Sequence, residues 1–174
     1  PVGNQREDEY GGSLENRMRI LLEIIESMKK GVGDDFPIGV RLNVDEQMPG
    51  GHTVEDSKIV ARALEKAGVR FINCYTGWHE SPVPPVAPSL PKGAFAHLAG
   101  AIRSAVGIPV IAANRINDPF IAEKILAAGQ ADLVGMGRAL LADPELPNKA
   151  KAGRVDEIVP CIACSRCLGE ILSI

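Results

Sequence analysis

The chain has 174 residues, 45% of them hydrophobic, and a formal net charge of -3 at pH 7, enough for one well-buried domain without requiring a second. Its acidic and basic residues are interspersed and nearly balance, which gives no basic footprint of a nucleic-acid binder or of a membrane-surface protein and leaves small molecules or other subunits as expected partners. No apolar run approaches the roughly 20 residues of a membrane span, and Pro1 to Tyr10 is too polar for a signal peptide, so a reducing cytoplasm is the expected setting.

The first element is "SLENRMRILLEIIESMKKGVG", a helix with Ser13 as N-cap, Leu14, Met18, Leu21, Ile25 and Met28 on one face, and Gly31 and Gly33 to stop it. "PIGVRLN" follows as a strand, then "TVEDSKIVARALEKAG" as a helix capped by Thr53, with Val54, Ile59, Ala63 and Leu64 as its apolar stripe and Gly68 as terminator. "VRFINCYT" is a second strand, in which Cys74 reads as a small buried hydrophobe, and "GAFAHLAGAIRSAVG" a helix. "PVIAANR" is the third strand, and "DPFIAEKILAAG" is a helix with Asp118 as cap, Pro119 in the first turn and Gly129 at the close. "ADLVGMG" is the fourth strand and "RALLADPELPNKAKAG" opens one last helical stretch.

Near-continuous apolar strands separated by helices predict an α/β fold with a parallel sheet buried on both faces. The candidates are an open doubly wound sheet and part of a (β/α)8 TIM barrel. A whole barrel takes about 250 residues, the first helix has no strand before it, and a cysteine cluster runs up to the last residues. The expectation is therefore a fragment of a longer protein, with residues 1–160 as half of a barrel and 161–174 as the start of a metal-binding segment.

Chemistry is expected in the loops after the third and fourth strands, "AANRINDP" and "GMGRALLADP", where small residues are followed by an arginine and a helix start. Two such loops in consecutive units suit a phosphate; the alternative is that Gly135 and Gly137 form a tight turn and Arg115 and Arg138 are solvated charges. Arg41 interrupts a strand fit for burial and wants an acceptor, either the anionic edge of a reduced flavin at a barrel mouth or a carboxylate such as Asp45 or Glu46. The proline-rich loop "TGWHESPVPPVAPSLPKG" holds His79, the best proton carrier among the three histidines, although a loop histidine also serves merely to bond its neighbours. His52 and His97 read as structural or solvated. Cys161, Cys164 and Cys167, in C-x-x-C-x-x-C spacing, suit an iron–sulfur cluster or zinc rather than disulfides.

The run "NQREDEYGGSLENRMRILLEIIESMKKGVGDDFPIGVRLN" resembles the middle of the old yellow enzyme family of FMN-dependent oxidoreductases. "GWHE", "NRINDP", "GMGRALLADPEL" and "CIACSRC" are similar to its iron–sulfur branch, which contains 2,4-dienoyl-CoA reductase, 2-enoate reductase and trimethylamine dehydrogenase. The resemblance implies barrel strands five to eight and hydride transfer from FMN to an activated alkene, an enoyl-CoA or enoate. Arg41 would face the flavin N1 and C2 carbonyl region, and Asn114, Arg115, Gly137 and Arg138 would hold the FMN phosphate. His79 would handle a proton, Glu80, Ser81, Pro82 and Val83 would line the substrate, and the three cysteines would ligate a 4Fe–4S cluster whose fourth ligand follows Ile174. FAD and NAD(P)H are implied for the whole protein. The branch also contains amine dehydrogenases, and a different reading is a non-catalytic half-barrel that only binds phosphate. Open sheet edges predict a homo-oligomer, and the barrel half that the resemblance places upstream implies that the isolated chain is inactive.

Overall fold

The computed structural model describes residues 2–77, 81–82 and 84–172. Helix α1 spans Leu14–Val32, and strand β1 (Gly39–Asn43), α2 (Val54–Lys66), β2 (Phe71–Tyr75), α3 (Ala96–Arg103), β3 (Val110–Ala112), α4 (Pro119–Ala127) and β4 (Leu133–Val134) follow in alternation. Helices α5 (Arg138–Ala142) and α6 (Leu146–Lys151), a short 3-10 turn (Val155–Glu157) and α7 (Arg166–Leu172) complete the described chain.

The helix ends are held by the side chains that the sequence places there. Ser13 accepts from the Asn16 N–H, Thr53 and Asp56 form a reciprocal capping box, and Asp118 accepts from the Phe120 and Ile121 N–H groups ahead of Pro119. Before α1, residues 4–19 form a knot of side chains on backbone carbonyls: Asn4 donates to Tyr10 at 2.8 Å, Asn16 to Gly11 at 3.0 Å and Arg19 to Glu9 at 2.8 Å. Only glycine fits at the centre, since a Cβ on Gly11 would lie 1.9 Å from the Arg6 carbonyl oxygen.

The four strands pair in parallel in the order β1-β2-β3-β4, with Arg41 beside Asn73, Cys74 beside Ala112, and Ile111 beside Leu133. A doubly wound sheet reverses its strand order at a switch point, whereas a barrel adds each strand beside the last; this consecutive order is that of a (β/α)8 barrel segment. The helices cover one face only. Leu42, Ile72, Cys74, Val110 and Ala112 point into a core closed by Val60, Ala61 and Leu64 of α2, Ala99 and Ile102 of α3, and Ile125 of α4.

Burial on both faces does not hold. Residues alternate across a strand, so Arg41 and Leu133 lie on the other, open face, where Arg41 is exposed and Leu133 is 50% exposed. On α1 the expected stripe packs on the core except at its end, where Met28 is 46% exposed; the α2 stripe is rotated, with Ile59 46% exposed and Ser57, Val60, Ala61 and Leu64 buried instead, an i, i+3, i+4, i+7 set. Ser57 displaces Ile59 because its hydroxyl donates to the Val44 carbonyl at 2.8 Å, which makes a polar residue welcome inside. The last helical stretch is divided: Pro144 pushes the residue before it out of helical geometry, and Asp143 accordingly sits at φ -146, ψ 96.

Candidate functional site

Parallel strands deliver all their C-terminal ends to one rim, and there the loops after β3 and β4 enclose a cleft of about 390 Å³. Arg41, Asn73, Asn114, Arg115, Asn117, Gly135, Gly137, Arg138 and Cys161 line it. The two arginine loops singled out in the sequence thus meet on a common cavity, and Arg41 joins them from β1. His79, Glu80 and Val83 lie outside the described residues.

Local backbone geometry sets the β3 loop. Asn114 (φ 72) and Arg115 (φ 57) are successive non-glycine residues in the left-handed region, a costly conformation that persists where the surroundings demand it and that clusters at ligand sites. The Arg115 guanidinium donates to the Leu90 carbonyl from Nε at 3.1 Å and from Nη2 at 2.7 Å, and to the Pro88 carbonyl at 3.4 Å. Arg138 Nη1 donates to the Val86 carbonyl at 3.2 Å. Both cations therefore brace the 86–90 loop while bordering the cleft. On the floor, a Cβ at Gly135 would come within 3.3 Å of Asn73 Nδ2, so glycine there permits the close approach of β4 to the β2 side chain. A Cβ at Gly137 would meet nothing within 4 Å, which leaves that part of the rim open.

Arg41 does not carry the buried charge that its strand implied: it is exposed, and its guanidinium lies over the Tyr75 ring at 5.0 Å rather than against Asp45 or Glu46. Ser81 is 4% exposed and donates to the Glu46 carbonyl at 2.8 Å, outside the lining of this cleft, while Pro82 is exposed.

Three lining residues share a feature that the sequence reading passed over in two of them. The Oδ1 atoms of Asn73, Asn114 and Asn117 are buried and have no partner among the described residues. An unsatisfied buried acceptor costs about 1–3 kcal/mol, so three around one cavity mark a site shaped for a ligand rich in donors. With cationic side chains on the same cavity, the donor set suits an anion attached to an N–H-bearing ring, and FMN has that composition. Asn73, a polar residue inside "FINCY", could have been found by the reasoning that singled out Arg41.

Another constellation imitates a catalytic relay. His52 Nε2 lies 2.7 Å from Ser57 Oγ, and His52 Nδ1 lies 3.9 Å from Asp56. Ser57 is fully buried and its proton is committed to the Val44 carbonyl, so it accepts from His52 and is no nucleophile. Burial lowers the His52 pKa, against the opposing pull of Asp56 and Glu46, and favours the neutral ring. Cys74 is likewise inert, its thiol pushed up to about 12 by burial.

The cysteine segment starts at the cleft, and two anchors hold its approach. The buried Asp143 carboxylate accepts from Lys149 Nζ at 2.7 Å and from the Val159 N–H at 2.9 Å, while Lys149 also donates to the Glu157 carbonyl at 2.9 Å. Asn117 Nδ2 then donates to the Cys161 carbonyl at 2.7 Å. Cys161 borders the cavity and Cys164 is exposed, and among the described residues no three His, Cys, Asp or Glu side chains are gathered to hold a metal. No helix among the described residues is long and apolar enough to cross a membrane.

Comparison with known proteins agrees with this geometry. The family model described as NADH:flavin oxidoreductase / NADH oxidase matches residues 1–157. A metal reductase of Desulforamulus reducens is 49% identical over 172 residues, covering 98% of this chain and 26% of its own length. An NADH oxidase of Thermoanaerobacter brockii is 47% identical over 171 residues, covering 97% of this chain and 26% of its own. The solved structure of a 2-naphthoyl-CoA reductase with 2-naphthoyl-CoA superposes with a TM-score of 0.89 at 41% identity, over 94% of this chain and 25% of that one. The chain thus spans about a quarter of the length of the relatives it matches.

Proposed function

Because this chain belongs to the NADH:flavin oxidoreductase / NADH oxidase family of FMN-dependent oxidoreductases, we propose that its cleft is the phosphate end of an FMN site in an ene-reductase. The observation that carries this reading is that Arg115 and Arg138, from consecutive strand-to-helix loops, border a single cavity. In this reading they and the backbone of Asn114 and Gly137 grip the phosphate, since two guanidinia in a part-buried cleft hold an anion more strongly than solvated lysines do.

FMN, when bound, supplies the two-electron chemistry, accepting hydride from NAD(P)H and delivering it to the β-carbon of an activated alkene such as an enoyl-CoA or enoate. Arg41, its guanidinium over the Tyr75 ring on the open sheet face, would offer positive charge to a flavin held there. His79 donates or relays the proton that the α-carbon takes, and residues 80–83 border the substrate. The acyl-CoA in the superposable reductase supports this substrate class. The reading also assigns Cys161, Cys164 and Cys167 to a 4Fe–4S cluster, and FAD to other parts of the whole protein, in a cytoplasmic homo-oligomer; residues 1–160 then form the barrel part and 161–174 the cluster segment. Gel filtration after incubation with FMN tests the proposal: a flavin spectrum that travels with the protein and is displaced by excess inorganic phosphate is expected. Passage of protein free of flavin, with phosphate alone binding, would reduce the site to a bare anion pocket.

A further inference from the structure

The residues that hold the cysteine segment against the cleft have no part in the reading above. Asn117 belongs to the β3 loop, two positions after Arg115, yet its amide N–H reaches 44 residues along the chain to the Cys161 carbonyl, and its own Oδ1 is buried without a partner among the described residues. An asparagine that satisfied only itself would have turned both ends to solvent or to nearby backbone. Cys161 and Asn117 both line the cavity that Arg115 and Arg138 border. A peptide carbonyl in that wall brings partial negative charge to a pocket otherwise suited to an anion, and the Asn117 N–H offsets it. Upstream, Asp143 and Lys149 hold the backbone at residues 157 and 159, so the chain leading to the Cys161 wall is pinned on both sides of Pro160.

We propose that Asn117, seconded by Asp143, is a positioning residue for the flavin phosphate: it holds Cys161 in the wall of the phosphate end, with residues 157 and 159 anchored behind it, and its N–H occupies the Cys161 carbonyl that would otherwise be free to face the anion. The inference rests on the FMN reading and deepens it. Occupancy of the cysteines plays no part in it.

The test compares FMN with riboflavin, which has the same ring and no phosphate, by quenching of flavin fluorescence on binding to this chain. Loss of one hydrogen bond to a wall carbonyl corresponds to about a three- to tenfold weaker Kd. Asn117→Ala is therefore expected to weaken FMN by about that factor and to leave riboflavin within about twofold. Asn117→Asp, of equal size but bearing a carboxylate, is expected to weaken FMN further than Asn117→Ala does. Asp143→Asn, which frees the wall without touching the cleft, is expected to lower the preference for FMN over riboflavin in the same direction by a smaller factor, and it serves if the Asn117 variants do not fold. A parallel loss for both flavins, or an unchanged preference in all the variants, would overturn the positioning role while leaving the FMN reading intact. Failure of the unaltered chain to bind either flavin would overturn both.

Discussion

Arg115 combines a strained backbone with a braced side chain, and three substitutions separate the two. Its guanidinium makes two bonds to the Leu90 carbonyl and one to that of Pro88, and its Cα sits at φ 57. Arg115→Ala removes the cation and all three bonds; with a net value of about 1.5–3 kcal/mol for a hydrogen bond to a charged group, FMN affinity should fall by roughly 12- to 150-fold if the cation acts at the phosphate and through the 86–90 loop. Arg115→Lys retains the charge but cannot span two carbonyls with a rigid fork, so a loss of about tenfold is expected. Arg115→Gly loses the same side chain as alanine but relieves a left-handed conformation that costs an L-residue about 1–2 kcal/mol. Its urea midpoint should therefore exceed that of the alanine variant even though both bind FMN equally poorly. Fluorescence quenching reads the affinities and urea unfolding the stabilities. Wild-type affinity in both the lysine and alanine variants would remove Arg115 from the site, and equal midpoints for glycine and alanine would show that the backbone at this position is not strained.

Two further outcomes follow from features away from the cleft. Gly11→Ala forces a Cβ to within 1.9 Å of a backbone oxygen, and the overpacking should cost about 1–3 kcal/mol, seen as a lower urea midpoint with an unchanged slope; a midpoint equal to wild type would mean that the 4–19 knot yields freely. Because burial depresses the His52 pKa in the folded state, the neutral ring is the form that folding selects; stability is full above the unfolded value of about 6.5 and declines as pH falls below it. The melting temperature should thus drop more between pH 7.5 and 5.5 in wild type than in His52→Gln, and equal drops in the two proteins would refute the assignment.

Much of the fold was legible because its punctuation is local. Ser13, Thr53 and Asp118 act within three residues of themselves, so cap and boundary could be read from neighbouring letters. What escaped depends on partners far along the chain. Ile59 yields its inward place to Ser57 because of a carbonyl on β1, and Arg41 proved exposed because helices cover only one face of its strand. In the site, the arginine loops announced themselves by composition, and placing them on one cavity needed only the parallel rule. Asn117 and Asp143 did not, since a polar residue in a loop looks solvated until the chain returns to meet it, 44 residues later for Asn117 and 16 for Asp143.

The strand order also bears on how the molecule assembles. Ile111 pairs with Leu133 only 22 residues away, whereas Gly39 pairs with Phe71 across 32 and Ile72 with Val110 across 38. Closing the shortest loop sacrifices the least chain entropy, so the seam between β3 and β4, which carries Arg115 and Arg138, is the most local contact of the sheet. The pocket for the anion is therefore built at the seam whose closure costs the chain least.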